Sequence, residues 1–131
     1  MTAPPGSRAW FEAYLAAFNA ADFEGFGAYY APDVQFHGQA AQLSGREAVL
    51  EFYRSVRARI DEHIHLANYV GSESLAAAEI VTTLVPLEDW PDFPTGPLHK
   101  GQQRRSRNFA FYDIAGGRFT RIRSARFERL A

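Results

Sequence analysis

The hydrophobic period changes inside one stretch, SGREAVLEFYRSVRARIDEHIHLANYV, residues 44–70. Ser44 and Glu47 match a capping box, in which the serine accepts from the third helical N–H and the glutamate bonds back to the cap. Apolar residues then recur at helical spacing, which predicts a helix. They are Val49, Phe52, Tyr53, Val56 and Ile60. Residues 63–70 instead alternate between apolar and polar, which predicts that a strand follows this helix.

The residues before this stretch predict two earlier helices and a short strand. Ser7 is suited to cap a first helix and Asp22 to cap a short second one, which Gly25 and Gly27 weaken. Ala31-Pro32-Asp33 ends the second helix, residues 34–37 alternate as a strand, and residues 1–7 are expected to be flexible. The helical stripes are Trp10, Phe11, Tyr14, Leu15 and Phe18, then Phe23, Phe26, Tyr29 and Tyr30.

Three longer strands follow, at residues 75–85, 102–114 and 118–130. Turn residues precede the first strand, and Ala115-Gly-Gly117 joins the last two as a hairpin. Residues 86–101 hold four prolines and form a long loop, which we expect at the mouth of a pocket. Helices followed by antiparallel strands indicate an α+β fold. We expect the three N-terminal helices to pack on a curved, mainly antiparallel sheet and to enclose an apolar pocket.

The composition is typical of one globular domain, which we expect to span residues 1–131. Of the 131 residues 47% are hydrophobic, and 19 are aromatic side chains that would line the space between helices and sheet. The absence of cysteine excludes disulfides, thiolate metal sites and cysteine nucleophiles, and it fits a cytoplasmic location. The sequence has neither an apolar run long enough for a membrane span nor a secretion signal, so no membrane partner is expected.

The net charge of −1 conceals an uneven distribution. Residues 1–99 hold 5 of the 14 Lys and Arg and 13 of the 15 Asp and Glu. The last 32 residues hold the remaining nine basic and two acidic side chains. A basic hairpin rich in Arg and Phe is one feature of nucleic-acid binding, but the whole chain is near neutral, with a sequence pI of about 6.4. We therefore expect no nucleic-acid partner.

Four local strings, in this order of elements, are similar to those of the nuclear transport factor 2-like superfamily. The strings are Phe18-Asn-Ala-Ala-Asp22, Tyr30-Ala-Pro-Asp-Val34, Ser44-Gly-Arg-Glu-Ala48 and Asp113-Ile-Ala-Gly-Gly-Arg-Phe119. The superfamily includes ketosteroid isomerases, SnoaL-like polyketide cyclases, scytalone dehydratase, limonene epoxide hydrolase and many non-enzymes. The resemblance covers about residues 8–130. It implies a cone-shaped α+β domain with an apolar pocket, commonly a homodimer through the outer face of the sheet.

The resemblance to the isomerases implies three positions for acid–base chemistry. Their donor tyrosine corresponds to Tyr14, eight residues before Asp22. Their donor aspartate corresponds to Asn108, five residues before Asp113, where an amide can donate but cannot act as an acid. Their catalytic base corresponds to the end of the first strand, where no carboxylate is present and His37 is the nearest titratable group.

These positions predict an enzyme of the isomerase, cyclase or dehydratase kind that acts on a small apolar cyclic compound without a cofactor. Tyr14 and Asn108 would polarise an oxygen atom, and His37 would move the proton. Strand alternation places Asn108 on the pocket side, whereas a slip of one position would place Arg107 there. We expect the ligand to contact Phe18, Phe36, Tyr53, Trp90, Phe93, Tyr112 and Arg126, with Trp90 and Phe93 forming a lid.

Other interpretations of the same pocket and sheet remain open. The missing carboxylate favours a protein that binds a small apolar molecule without catalysis, or an accessory protein. His63 and His65 have a spacing that suits a metal, but no third ligand is placed beside them, so we expect no metal. An apolar outer sheet face predicts a homodimer. That face would carry Val81, Thr83, Phe109 and Phe111 together with Glu79, Arg121 and Arg123.

Overall fold

The computed structural model describes residues 3–130, which form three helices and a sheet of six strands. The helices are α1 (Arg8–Asn19), α2 (Phe23–Gly27) and α3 (Arg46–Arg57). The strands are β1 (Tyr30–His37), β2 (Gln42–Ser44), β3 (Ile60–Gly71), β4 (Leu75–Pro86), β5 (Arg104–Ala115) and β6 (Arg118–Leu130). Their order is β2-β1-β6-β5-β4-β3, with β1 and β6 parallel and the other neighbours antiparallel. The predicted α+β class is confirmed, with the helices packed on a curved, unclosed sheet.

Helix α1 begins where the sequence predicts. The Ser7 hydroxyl oxygen accepts a hydrogen bond from the Trp10 N–H at 3.2 Å, and the predicted apolar stripe is buried. The residues just before α1 also have partners, because the Tyr69 hydroxyl donates to the Gly6 carbonyl at 2.6 Å. The flexibility expected at residues 1–7 stays a prediction, and Met1 and Thr2 lie outside the described residues.

Helix α2 is shorter than predicted and ends at Gly27. Asp22 caps it as expected, since its carboxylate accepts from the backbone N–H three residues later at 3.0 Å. Tyr30 already belongs to β1 and pairs with Phe119 of β6, so Ala31-Pro32-Asp33 lies in the strand instead of ending the helix. The two glycines weaken the helix, so pairing with β6 determines the structure of this segment. Pro32 is tolerated in the strand because it lies where the β1–β6 register shifts, and its missing N–H removes no regular hydrogen bond of the sheet.

The capping box predicted at Ser44 is wrong. Ser44 ends β2, a short strand that the sequence pattern did not predict, and its hydroxyl donates to the Gln35 side chain of β1 at 2.9 Å. Gly45 is the N-cap of α3, and it makes no side-chain hydrogen bond. Its φ of 94° is a backbone conformation that favours glycine, so the chain turns here at a residue with no Cβ. Helix α3 carries the predicted stripe only up to Val56 and ends at Arg57, because Ile60, which was expected in the helix, begins β3 and pairs with Pro86.

The two faces of the sheet differ in what covers them. On β5, Asn108, Ala110 and Tyr112 are buried on the inner face, whereas Phe109 and Phe111 are exposed on the outer face, as the alternation predicts. The inner face is covered by an aromatic core that α1 and α2 share with the sheet. A smaller apolar cluster fixes the loop between β4 and β5 against the end of α3, and its buried members are Val56, Ile60, Phe93 and Leu98.

The outer face carries ion pairs that use several C-terminal arginines. Arg107 contacts Glu79 at 2.7 Å and Glu128 at 3.2 Å. Asp113 contacts two arginines of β6 at 2.7 and 3.5 Å. The uneven charge along the sequence is therefore partly balanced across neighbouring strands, in agreement with the expectation that these arginines lie along an outer face.

Candidate functional site

A cavity of about 140 Å³ lies between the inner face of the sheet and helix α3. A well-studied engineered cavity of similar size, about 150 Å³, holds one benzene ring. Its apolar walls include Phe36, Phe52, Tyr53, Val56, Leu84 and Phe93. Its polar lining includes Gln39, Glu62, Thr82, Thr95, Arg104, Ser106, Asn108, Ser124 and Arg126. Because Gln39 and Arg126 are exposed, the cavity reaches the surface at their end.

Half of the ten residues predicted for the site line this cavity. They are Phe36, Tyr53, Phe93, Asn108 and Arg126. Trp90 and Phe93 were predicted to form a lid together. The ring centroids of Trp90 and Phe93 are 5.0 Å apart, but Trp90 does not line the cavity. The Arg59 guanidinium lies 3.9 Å from the Trp90 ring centroid, so Trp90 anchors the loop.

Three further predicted residues, Tyr14, Phe18 and Tyr112, lie in the aromatic core and do not line the cavity. The hydroxyls of Tyr14 and Tyr30 are 2.7 Å apart and form a hydrogen bond. Burial raises the pKa of Tyr14 far above its ordinary value, with its bond to Tyr30 acting in the opposite direction. The hydroxyl of Tyr14 is thus satisfied inside the core by another tyrosine.

His37 lies on the outer side of β1. Alternation along this strand buries Val34 and Phe36, and therefore exposes His37. The segment after it, residues 38–40, does line the cavity. The predicted mechanism requires Tyr14, His37 and Asn108 to meet around one void. They do not, because only Asn108 lines the cavity.

Asn108 belongs to a polar network on the cavity wall. Its side-chain nitrogen donates to the Thr82 hydroxyl at 3.1 Å and to the Ser106 hydroxyl at 3.3 Å. Its side-chain oxygen faces the amide of Gln39 at 3.5 Å. Both amide hydrogens are therefore occupied within the protein. Because a hydroxyl that accepts a bond keeps its own hydrogen, Thr82 and Ser106 each retain an O–H that can donate to a ligand.

Glu62 supplies the carboxylate that the sequence analysis found missing. It lies on β3 and lines the cavity, and its carboxylate has no hydrogen bond or ion pair with any other residue of the described chain, 3–130. Arg57 approaches from α3, but it donates to the backbone carbonyl of Glu62 and lies 3.9 Å from the carboxylate of Asp61. Burial raises the pKa of Glu62 to about 7, and the charge of Arg57 only partly opposes this effect.

A simple signal could have identified Glu62 from the sequence. Ile60, Glu62, Ile64 and Leu66 share one face of β3 by alternation, and the apolar members of that set point to the core. Thr82 follows from the same rule, since it lies between the inward Ile80 and Leu84 on β4. Applied to the polar positions of the central strands, alternation therefore predicts both cavity-lining side chains.

Within residues 3–130 no group of three or more His, Cys, Asp or Glu side chains is arranged to hold a metal ion. His63 and His65 are exposed on β3, on the side opposite Glu62. No helix in the described part of the chain is long and apolar enough to cross a membrane.

The fold and the cavity define a class of protein. Helices packed on the inner face of a curved, mostly antiparallel sheet, with a cavity between them, are the architecture of nuclear transport factor 2-like proteins. A family model described as the SnoaL-like domain matches residues 11–122, and the chain belongs to that family. A search of curated proteins gave no match.

Solved structures agree with this assignment. A protein from Pseudomonas putida described as a "putative polyketide cyclase" is 28% identical, with a TM-score of 0.71 over 88% of this chain and 86% of that one. A protein from Xanthomonas campestris with the same description is 25% identical, with a TM-score of 0.69 over 87% and 84% of the two chains. A protein from Mycobacterium tuberculosis described as an "LEH-like epoxide hydrolase", only 15% identical, shares the fold at a TM-score of 0.71 over 88% of this chain and 78% of that one.

Proposed function

We propose that this protein is a cofactor-independent enzyme of the isomerase, cyclase or dehydratase type, which acts on a small apolar cyclic compound by acid–base chemistry. One observation carries the proposal: the unpaired carboxylate of Glu62 faces a cavity with aromatic and aliphatic walls. A group with a pKa of about 7 is partly ionised at neutral pH, so it can take a proton and return it. Membership of the SnoaL-like family supports the class of reaction.

Glu62 takes the role that the sequence analysis gave to His37. In an isomerisation, the ionised carboxylate removes a proton from the carbon beside a carbonyl group, and the C–H electron pair forms an enolate. The protonated Glu62 then returns the proton to another carbon of the same substrate. The base is regenerated without any oxidant, reductant or cofactor.

The developing enolate oxygen requires hydrogen-bond donors inside the cavity. The hydroxyls of Thr82 and Ser106 are available, because each accepts from Asn108 and keeps its own hydrogen. The Tyr53 hydroxyl is a third donor, because it lines the same cavity and has no hydrogen bond to another residue in the described range. Asn108 thus acts as a positioning residue, and Tyr53 replaces Tyr14 as the phenolic donor.

The test measures proton abstraction directly. A panel of cyclic ketones is incubated with the protein in D₂O, and deuterium incorporation at the carbon beside the carbonyl is followed by NMR. Glu62→Gln should reduce the rate by about 100-fold or more, since general-base catalysis contributes that much. Asp61→Asn is the matched control, because Asp61 is the exposed neighbour on the same strand and should keep the full rate.

Two results would contradict the proposal. The first is exchange that proceeds equally well in Glu62→Gln. The second is an apolar compound that co-purifies with the protein and is released chemically unchanged, with no exchange of any panel member, which would instead support a non-catalytic binding protein.

A further inference from the structure

The mouth of the cavity carries positive charge that no acidic side chain balances. Arg104 on β5 and Arg126 on β6 both line the cavity. Neither guanidinium lies within ion-pair distance of a carboxylate belonging to the described part of the chain. By contrast, Arg107, Arg121 and Arg123 on the outer face of the same strands are all paired with acidic residues. Arg104 and Arg126 are thus unpaired arginines that face the cavity; Arg105, Arg118 and Arg129 of the same strands also lack an ion pair within the described chain, but they do not line it.

Arg104 is held in place by the loop that precedes it. Its guanidinium donates to the backbone carbonyl of Thr95 at 3.4 Å, to the Thr95 hydroxyl at 3.2 Å and to the Pro97 carbonyl at 2.7 Å. These acceptors are neutral, so they position the guanidinium without neutralising it. Of its five N–H donors, two remain without a protein partner among residues 3–130.

Arg104 also lies close to other positive groups. Burial lowers the pKa of Arg104, and the charges of Arg129 and Arg126 lower it further. Partial burial of unpaired like charges is unfavourable, and a bound anion would remove that cost.

The register of the sheet separates this cationic end from Glu62. Leu84 pairs with Glu62 on one side and with Arg104 on the other. The two residues are thus two strands apart, about 10 Å between their Cα atoms. Leu84 lines the cavity between them.

We propose that the compound bound in this cavity carries an anionic group, most simply a carboxylate, which Arg104 and Arg126 bind while its ring occupies the apolar part next to Glu62. The inference names the substrate class for the proposed function and rests on it. Arginine is suited to this role because its planar fork of donors matches the geometry of a carboxylate.

The test compares benzoate with benzamide, which have the same ring and nearly the same shape but differ in charge. Binding is followed at pH 6, where Glu62 is largely protonated, by NMR chemical-shift titration of the labelled protein. Benzoate should bind at least about fivefold more tightly than benzamide, and the resonances of cavity residues should shift. The preference should decrease with added salt.

Arg126→Gln should weaken benzoate binding much more than benzamide binding, and so remove most of the preference for benzoate. Arg126 has no hydrogen bond or ion pair within the described chain, so this variant should fold normally. Arg118→Gln is the matched control, because it removes the same charge from an exposed position at the other end of β6. Arg126→Lys should restore part of the preference.

The inference is overturned if the wild type binds both compounds equally, if it binds neither at the highest soluble concentration, or if Arg126→Gln weakens both to the same extent. The titration involves no turnover, so it tests the anionic substrate independently of the proposed chemistry. A charge preference with no effect of Glu62→Gln on exchange would disprove the proposed chemistry alone. Exchange that depends on Glu62, without a charge preference, would disprove the anionic substrate alone.

Discussion

Glu62 is a carboxylate at a position where burial disfavours its charge. Its pKa rises from 4.5 to about 7 on folding, so the folded state binds more protons than the unfolded state between these pH values. Stability must therefore fall as pH increases through this window, and the loss is complete above pH 7. A residue that costs stability and points into a cavity is typical of a functional site.

The pH dependence of unfolding tests this placement. Between pH 5 and pH 8 the free energy of unfolding of the wild type should fall by about 2 kcal/mol more than that of Glu62→Gln. This value is smaller than the free energy equivalent to the full pKa shift, because water reaches the cavity. Urea unfolding at both pH values, followed by circular dichroism, gives the comparison.

The neighbouring variant Asp61→Asn should behave like the wild type, because Asp61 is exposed. If Glu62→Gln shows the same pH dependence as the wild type, the carboxylate titrates normally and its burial in the cavity wall is disproved.

Single residues were harder to predict than the strands that carry them. Asn108 was placed on the correct face because alternation in β5 fixes the orientation of every second side chain. His37 was misplaced although the same rule applies, since an inward Phe36 requires an outward His37. Tyr14 could not be assigned from its stripe, because an inward tyrosine can face a cavity or, as here, another tyrosine in the core.

At the scale of elements, local signals predicted some boundaries and missed others. The double-glycine turn between β5 and β6 was predicted, because Gly116 and Gly117 adopt φ of 59° and 74°, which glycine tolerates at no cost. Strand β2 has only three residues and depends on pairing with β1, so no periodicity indicates it. Tertiary pairing also extended β1 back to Tyr30, across a proline.

The two serines that precede helices should differ in their contribution to stability. Ser7→Ala should cost about 1 kcal/mol, because its hydroxyl oxygen caps α1 by accepting from Trp10. Ser44→Ala should cost less than about 0.5 kcal/mol, because Ser44 makes only an exposed hydrogen bond within the sheet. Chemical unfolding of both variants against the wild type measures the difference, and equal costs would contradict the assignment of Gly45 as the cap of α3.

At the scale of the whole molecule, the outer sheet face has the features of a surface that meets a copy of itself. Phe109, Phe111 and Phe127 are exposed by 44%, 48% and 63%, and the rings of Phe109 and Phe127 are 5.1 Å apart. A two-fold interface brings identical patches together, so unpaired charges there would repel. The ion pairs around Arg107 and Asp113 remove that obstacle. The homodimer expected from the sequence therefore stays a prediction with a defined surface.

Light scattering at micromolar concentration tests the homodimer. The wild type should have the mass of a dimer, and the double variant Phe109→Ser with Phe127→Ser should shift toward the monomer, because both copies lose apolar contact area. Leu87→Ser is the control, since Leu87 is exposed by 52% but lies beside α3. A monomeric wild type would contradict the prediction.

The parallel pairing of β1 with β6 has a consequence for the order of folding. Tyr30 and Phe119 pair although roughly 90 residues separate them, so this contact requires the longest loop closure in the sheet. The three C-terminal antiparallel hairpin pairings are more local and can form without it. During synthesis, the apolar faces of α1 and β1 must wait for β6 to leave the ribosome before they are fully covered. We therefore expect the first strand of the chain to be among the last to join the sheet.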